Sequence, residues 1–246
     1  MKLVTWNVNG VRKRHPELVA LESVEKPDVL FLQELKAAPD QIPDPLTTLL
    51  DHWSLWHGGP KGYSGVSLHL RKSVFPEAPK FSHPPFDTEH RAVVAVAEGI
   101  TFASLYVPNG GKDFDAKMEF LRAMIAWVRT VPGPLVLAGD LNVARDDRDV
   151  HPTLKKATAI GQRPDERALF AELLGDRLVD VGRSFHEDDD RWFTWWPPWR
   201  DFKGKNYGWR IDYVLASKDL VAISAEVRRD HGTSDHCPLV VELARG

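Results

Sequence analysis

Polar side chains repeatedly follow or border short apolar segments of this 246-residue chain, and their chemical types suit a divalent cation. Asn7, Glu34 and Asp140 each follow such a segment, and Asp212 and His236 border two others. A buried carboxylate is costly unless it is paired or binds a cation, so we expect these side chains to gather at one edge of the fold. Carboxylate and amide oxygens suit Mg²⁺ or Mn²⁺, whereas a zinc site would have more His or Cys ligands.

Taken singly, each of these residues has a simpler explanation. Asp140-Leu141-Asn142 after Gly139 is compatible with a turn, because Asp and Asn favour turns. A lone Glu34 is ordinarily a solvated loop residue, and a lone His236 is more often structural than catalytic. The prediction of a metal site therefore depends on these residues coming together.

The apolar segments have the composition of β-strands. Strands are predicted at 3–8, 29–32, 65–70, 92–97, 101–107, 135–138, 210–216 and 239–243. A first helix is predicted with Pro16 near its first turn and its end before Pro27. An apolar stripe at helical spacing predicts a second helix over about 113–129, and a third is predicted over 164–174. Many strands with few helices between them favour two packed sheets with helices outside.

Composition sets limits on the class of protein. The chain is 43% hydrophobic and 27% charged, as in ordinary globular domains, and its net charge of -3 neither supports nor excludes a nucleic-acid partner. No Pro/Gly loop is long enough to be an interdomain linker, so we expect a single domain over 1–246.

The sequence also carries an expectation about location. Cys237 is the only cysteine, so a reducing compartment is the simplest setting. The N-terminal apolar segment is short for a secretory signal, and no segment reaches the roughly 18 apolar residues of a membrane span. We expect a cytoplasmic protein with no membrane partner.

Seven motifs follow one another along nearly the whole chain. They are WNVNGVR (6–12), PDVLFLQELK (27–36), GYSGVSL (62–68), SLYVPNGG (104–111), LAGDLNVA (137–144), GWRIDYVLAS (208–217) and TSDHCPL (233–239). Together they resemble the exonuclease III family of abasic-site endonucleases, within the endonuclease/exonuclease/phosphatase superfamily. The resemblance implies an α/β fold of the DNase I-like kind: a four-layered α/β sandwich of two packed mixed β-sheets flanked by helices, with the active site at one edge of the sheets.

The resemblance also implies roles around a metal ion. Glu34 would be the main metal ligand, and Asn7 and Asp235 would complete the metal environment, partly through water. Asp140 would orient or deprotonate the attacking water, and Asn142 would hold that water and a phosphate oxygen. The implied cofactor is Mg²⁺, which Mn²⁺ could replace.

Further implied roles concern the phosphate. Asp212 and His236 would form a hydrogen-bonded pair whose imidazole contacts the scissile phosphate, and Tyr106 would reach the phosphate or the leaving oxygen. Phosphodiester hydrolysis needs an in-line water, charge relief on the phosphoryl oxygens and help for the departing 3′ oxygen. Either Asp140 or His236 could act as the general base, and no covalent intermediate is expected.

A tract rich in aromatic and basic residues is the expected DNA-contacting region. Residues 191–210 contain five Arg or Lys and one Asp among aromatic residues; cations neutralise phosphates, and aromatic rings stack on bases. By the resemblance, Trp195 and Trp209 would line a pocket for a flipped, base-less sugar. Asn109, Lys112 and Arg210 are also expected to contact DNA. Lys112 stands where some relatives have an Arg, so it keeps the charge but loses the planar guanidinium.

The expected activity is hydrolysis of the phosphodiester 5′ to abasic sites in duplex DNA, with removal of 3′ nucleotides or 3′ blocks. The expected partner is double-stranded DNA carrying such lesions, and the protein is expected to be a monomer. One alternative is a phosphodiesterase of the same superfamily that acts on RNA or on a phosphoinositide. The other is a catalytically inactive DNA-binding homologue, which the presence of every expected catalytic residue type disfavours.

Overall fold

The computed structural model describes residues 1–48, 51–60 and 62–245. Over these residues the chain forms twelve strands, namely β1 (Lys2–Asn7), β2 (Val29–Gln33), β3 (His52–His57), β4 (Val66–Arg71), β5 (Lys80–Ser82), β6 (Ala92–Ala97), β7 (Ile100–Tyr106), β8 (Leu135–Asp140), β9 (Leu178–Asp180), β10 (Asp212–Ser217), β11 (Leu220–Val227) and β12 (Leu239–Arg245). The α-helices of the same residues are α1 (Val11–Glu25), α2 (Asp44–Thr48), α3 (Phe114–Thr130), α4 (Pro164–Leu174), α5 (Val181–Phe185) and α6 (Phe202–Lys205).

The strands form two six-stranded mixed sheets. The order in the first sheet is β11-β12-β1-β2-β4-β3, and the order in the second is β5-β6-β7-β8-β10-β9. Each sheet has one parallel pair, β1–β2 in the first and β7–β8 in the second, and its other pairs are antiparallel. The two sheets therefore present two matching parallel pairs near their centres.

The sheets pack face to face, and helices cover their outer faces. Phe31 and Leu68 of the first sheet share one buried cluster with Phe102 and Val214 of the second. Because successive side chains of a strand point to opposite faces, the neighbours of these residues pack outward, against α1 and α2 on one side and against α3 and α4 on the other. The structure confirms the four-layered α/β sandwich.

The second and third helices lie where the sequence predicted them, but the first begins earlier. α1 starts at Val11, so Pro16 lies inside the helix and not in its first turn. A proline has no N–H for the carbonyl four residues before it. Here His15 Nδ1 lies 3.1 Å from that oxygen, on Arg12, and Pro16 itself is exposed. The imidazole can thus satisfy the carbonyl that the proline leaves without a partner.

Four strands, β3, β5, β9 and β11, were not predicted. β5 and β9 have only three residues each, and β3 and β11 lie at an edge of the first sheet, where polar and exposed residues interrupt the apolar pattern. Within the part of the chain that the structure describes, no helix has the length and apolar character needed to cross a bilayer.

The carboxyl ends of the two parallel pairs meet at one edge of the sandwich. Asn7 ends β1, Tyr106 ends β7 and Asp140 ends β8, while Asp212 begins β10 directly opposite Asp140. Gly139 makes this close pairing feasible, because a Cβ atom there would lie 1.9 Å from the carbonyl oxygen of Leu105 on the neighbouring strand. The fold thus brings polar strand ends of both sheets together.

Candidate active site

Glu34 is held at this edge by donors from three parts of the chain. Its Oε1 accepts hydrogen bonds from the Tyr106 hydroxyl at 2.6 Å and from Asn7 Nδ2 at 3.2 Å, and its Oε2 lies 2.9 Å from Lys36 Nζ. Burial alone would raise the pKa of Glu34, but the hydrogen bonds from Tyr106 and Lys36 outweigh it and lower the pKa. Glu34 is therefore a carboxylate at neutral pH.

Asp140 is buried and lies close to Glu34. Its Oδ1 accepts a hydrogen bond from the backbone N–H of Asn142 at 2.9 Å, and its Oδ2 accepts one from Asn7 Nδ2 at 3.0 Å. Burial raises the pKa of Asp140 to about 7; the charge of His236 opposes this effect, while the carboxylates of Asp212 and Glu34 add to it. The site thus holds more negative charge than its own cations balance.

Asp212 and His236 form the hydrogen-bonded pair that the resemblance implied. His236 Nδ1 lies 2.9 Å from Asp212 Oδ2, and its Nε2 lies 3.8 Å from Asp140 Oδ2. Burial would lower the pKa of His236, but the Asp212 carboxylate more than compensates, and the pKa rises to about 10. The imidazole is therefore a cation at neutral pH, and Thr194 Oγ1 braces the pair by accepting the N–H of Asp212 at 3.1 Å.

Glu34, Asp140 and His236 have ligand atoms within 4.8 Å of one another, which is close enough to hold a metal ion. A protonated imidazole has no free lone pair for a metal, so the two carboxylates are the ligands that the geometry supports. They are hard oxygen donors in an environment with excess negative charge. A divalent cation of the Mg²⁺ type fits this arrangement.

Two other predicted metal residues are arranged differently. Asn7 turns its amide nitrogen toward Glu34 and Asp140, while its Oδ1 accepts the backbone N–H of Asn9 at 3.0 Å. Ligation through this oxygen would require the amide to turn over. Both oxygens of Asp235 are engaged, at 2.7 Å from Asn9 Nδ2 and at 3.0 Å from Trp195 Nε1. In this conformation both residues position their neighbours.

Four of the five predicted catalytic side chains line one cleft of about 360 Å³, and the fifth, Asp212, is fully buried and reaches the cleft only through its contact with His236. The lining of the cleft includes these four residues and predicted metal-binding and DNA-contacting residues: Glu34, Tyr106, Asn109, Asp140, Asn142, Trp195, Trp209, Asp235 and His236. The rings of Trp195 and Trp209 meet edge to face with centroids 5.5 Å apart. The cleft therefore has a charged, hydrogen-bonding floor and an aromatic wall.

The other predicted DNA-contacting residues divide into two groups. Asn109 lines the cleft, and Lys112 is exposed beside it, on a neighbouring cavity of about 510 Å³. The prediction for Arg210 is wrong for this structure, because its side chain is only 1% exposed. Its guanidinium forms ion pairs with Asp149 at 2.7 Å and with Asp180 at 2.8 Å. Arg210 therefore has a structural role in the protein interior.

A buried ion pair beneath the cleft was not predicted. Lys117 of α3 and Glu166 of α4 are both fully buried and paired with each other. Lys117 Nζ also donates a hydrogen bond to the carbonyl oxygen of Asn142 at 2.8 Å and lies 3.5 Å from that of Asn109. This lysine therefore ties two cleft residues to the helical layer. In the sequence, the position of Lys117 among the apolar residues of α3 was the feature that could have indicated a buried lysine.

Comparisons with known proteins agree with this geometry. Residues 4–236 match the family model described as the Endonuclease/Exonuclease/phosphatase family. DNA repair nuclease APEX1 of Danio rerio is 30% identical over 260 residues, which cover 99% of this chain and 82% of that protein. Recombination repair protein 1 of Drosophila melanogaster is also 30% identical, but this chain spans only 37% of its length.

Solved structures show the same fold. An AP endonuclease from Archaeoglobus fulgidus superposes with a TM-score of 0.89 at 26% identity, with 98% of each chain covered. The 3′ phosphatase NExo from Neisseria, bound to a product DNA hairpin, superposes with a TM-score of 0.88 at 30% identity, with 99% of each chain covered. This chain therefore belongs to the endonuclease/exonuclease/phosphatase family, in the branch that contains exodeoxyribonuclease III and the AP endonucleases.

Proposed function

We propose that this chain is a Mg²⁺-dependent DNA repair nuclease that hydrolyses the phosphodiester 5′ to abasic sites in duplex DNA. We include in the proposal the removal of 3′ nucleotides or 3′ blocking groups. The observation that carries it is the meeting of Glu34, Asp140 and His236 in one cleft beside two Trp rings, with buried Asp212 paired to His236. The names of the relatives, a DNA repair nuclease, an AP endonuclease and a 3′ phosphatase, support the same activity.

Asp140 is the group best suited to take a proton from the attacking water. Two hydrogen bonds from Asn142 hold it in place, at 2.9 and 3.3 Å, and burial raises its affinity for a proton, with a pKa of about 7 before a cation binds. His236, with its pKa raised by Asp212, holds its proton more firmly and is the poorer base of the two. Of the two candidate bases that the sequence left open, we therefore assign Asp140.

His236 and Tyr106 act as donors to the phosphate. Asp212 fixes His236 Nδ1, so the N–H on Nε2 is free to bind a phosphoryl oxygen in the cleft. The pKa of Tyr106 is raised, by burial first and then by the charges of Glu34 and Asp140, so its hydroxyl stays protonated. Its one hydrogen is donated to Glu34 in this structure and would turn from Glu34 to the phosphate when substrate binds. Donors held in place before the reaction stabilise negative charge as it develops.

Glu34 and Asp140 would hold Mg²⁺. When bound, the ion supplies positive charge to the phosphoryl oxygens and to the departing 3′ oxygen. Tyr106 and Lys36 orient the Glu34 carboxylate, and Asn7 keeps the two carboxylates together. Tyr106, Lys36 and Asn7 thus align the ion-binding carboxylates without having to contact the ion.

The aromatic wall supplies the selectivity for abasic sites. A nucleotide without its base costs less to rotate out of the helix, and its sugar can enter the cleft beside the paired rings of Trp195 and Trp209. Asn109 and exposed Lys112 lie at the rim, where the flanking backbone would pass. The partner is double-stranded DNA with abasic or 3′-blocked lesions. We also propose a monomer in the cytoplasm; the location rests on the single cysteine of the sequence.

The experiment that tests this function is a substrate panel. An end-labelled duplex with one tetrahydrofuran residue is incubated with the protein and Mg²⁺, beside an undamaged duplex, a duplex RNA and an inositol phosphate. We expect preferential cleavage of the tetrahydrofuran duplex, leaving a 3′-hydroxyl and a 5′-phosphate, and none after addition of chelator. Preferred hydrolysis of RNA or of the inositol phosphate would contradict the proposed substrate, and no hydrolysis of any substrate would support the inactive homologue.

A further inference from the structure

A second group of metal-ligand side chains lies outside the cleft lining. His57 ends β3, His83 follows β5, and Asp87 lies in the loop that leads to β6. Their ligand atoms lie within 4.8 Å of one another. Asp87 Oδ2 is 2.6 Å from His57 Nε2 and 3.8 Å from His83 Nδ1, and the two imidazole rings have centroids 4.0 Å apart.

Two backbone N–H groups fix the orientation of the Asp87 carboxylate. Its Oδ1 accepts hydrogen bonds from the N–H groups of Arg91 at 2.8 Å and of Ala92 at 2.9 Å. The second oxygen is thereby left facing the imidazoles. The side chain of Asp87 is 11% exposed and that of His57 is 18% exposed, whereas that of His83 is 43% exposed. The group is therefore sheltered but open to solvent at His83.

The donor set and its spacing suit zinc. Zn²⁺ binds His nitrogen and carboxylate oxygen at about 2.0–2.2 Å, so neighbouring donors of a tetrahedral site are about 3.3–3.6 Å apart. The two distances from Asp87 Oδ2, 2.6 and 3.8 Å, lie on either side of that spacing, so small side-chain rotations reach it. The ion would take the place of the proton that His57 and Asp87 share. It would also replace the long contact, 3.3 Å, between His83 Nδ1 and the carbonyl oxygen of Ala92.

We propose that His57, His83 and Asp87 form a Zn²⁺ site that is separate from the catalytic cleft. Two imidazoles and one carboxylate favour Zn²⁺ over Mg²⁺, which prefers oxygen ligands. Three protein ligands leave a fourth position for water. The ring of His90 is also near, with its centroid 4.7 Å from that of His57.

The site would fasten a loop that supports the catalytic Tyr106. Arg91, whose N–H binds Asp87, accepts the N–H of Tyr106 through its own carbonyl oxygen at 2.9 Å. The Arg91 guanidinium also lies 4.7 Å from the centroid of the Tyr106 ring. Zn²⁺ bound at the new site therefore acts as a structural clamp on the loop and is not part of the hydrolytic reaction.

The test measures Zn²⁺ binding to the full chain by competition with a chromophoric chelator, in the presence of excess Mg²⁺. The variants are His83→Ala, Asp87→Asn, the cleft double variant Glu34→Gln/Asp140→Asn, and His15→Ala as a control histidine. We expect wild type, the cleft variant and the control to bind one Zn²⁺ at this site. His83→Ala and Asp87→Asn should weaken that binding by about 100-fold or more, since loss of even an outer partner costs 10–100-fold.

Thermal melting distinguishes loss of a Zn²⁺ ligand from a folding defect. His83 is the most exposed of the three ligands, so thermal melting of His83→Ala without metal should match wild type, and Zn²⁺ should raise the Tm of wild type but not that of His83→Ala. Unchanged Zn²⁺ affinity in both His83→Ala and Asp87→Asn would overturn the proposal. So would loss of the bound Zn²⁺ in the cleft variant alone. Neither result depends on nuclease activity, so the failure of this proposal is distinguishable from failure of the proposed function.

Discussion

His236 Nδ1 lies 2.9 Å from Asp212 Oδ2, and both side chains are buried. This contact sets the charge of the imidazole, because the carboxylate raises the pKa of His236 to about 10 against the opposing effect of burial. The Nε2 atom remains turned toward Asp140, at 3.8 Å, on the floor of the cleft. The pair thus supplies a fixed positive charge where a phosphate would bind.

A first prediction concerns the pH dependence of kcat/KM. His236 must be protonated to donate, so wild-type activity should persist through neutral pH and fall as the pH rises toward 10. In Asp212→Asn the carboxylate that raises the pKa is removed, so the fall should occur at lower pH. Rate profiles on the tetrahydrofuran duplex check this. Identical alkaline limbs in wild type and Asp212→Asn would show that Asp212 does not control the protonation of His236.

The acid side of the same profile tests Asp140. Its pKa is raised to about 7 by burial and by the neighbouring carboxylates, and the base must be deprotonated to act. A bound cation favours the carboxylate form, so we expect the acid limb to move to lower pH as the Mg²⁺ concentration increases. An acid limb that does not move with Mg²⁺ would argue against Asp140 as both ligand and base.

Variants of the Lys117–Glu166 pair should show separate effects on unfolding free energy and on cleavage rate. Lys117→Met leaves the Glu166 carboxylate buried and unpaired, and breaking such a pair costs about 3–5 kcal/mol of unfolding free energy. The double variant Lys117→Met/Glu166→Leu should recover most of that stability, since replacing both partners of a buried pair is often neutral. It should still cleave more slowly, because Asn142 has lost its support from Lys117 Nζ.

Denaturant unfolding and single-turnover cleavage measure the two effects. The single variant reports both losses, and the double variant reports the positioning effect alone. A stable double variant that cleaves at the wild-type rate would show that the pair contributes to stability alone.

Arg210 and Lys112 are expected to behave in opposite ways. Arg210→Ala leaves Asp149 and Asp180 without the guanidinium between them, so unfolding free energy should fall by about 3–5 kcal/mol. Lys112→Ala should leave stability unchanged, weaken DNA binding and reduce the salt dependence of the affinity by about one charge. Thermal melts and DNA titrations at two salt concentrations distinguish the two residues. A stable Arg210→Ala with weakened DNA binding would restore the original expectation for Arg210.

Much of the site could be predicted because strand ends carry a simple signal. Asn7, Glu34 and Asp140 lie where apolar strands end, and the fold brings those ends to one edge. The resemblance to a known family then assigned their roles, which residue spacing alone leaves open.

The features that the sequence predicted wrongly or did not predict depend mostly on contacts between residues far apart in the chain. Arg210 looked like a DNA contact because it lies in a basic, aromatic tract, and only the fold shows Asp149 and Asp180 meeting it inside the protein. Lys117 joins its partner Glu166 from another helix, so the pairing has no local pattern. β11 carries exposed Val221 and Ile223, which obscured its alternation.

Hydrolysis in this cleft depends most on Glu34 and Asp140 acting together as its metal-binding carboxylates. The most direct measurement is single-turnover cleavage of the tetrahydrofuran duplex by Glu34→Gln and Asp140→Asn, with Asp190→Asn as an exposed control. We predict that each cleft variant loses about 100-fold or more in rate while its affinity for the same duplex stays close to wild type, and that the control is unaffected. Wild-type cleavage rates in both cleft variants would contradict a role for Glu34 and Asp140 in hydrolysis.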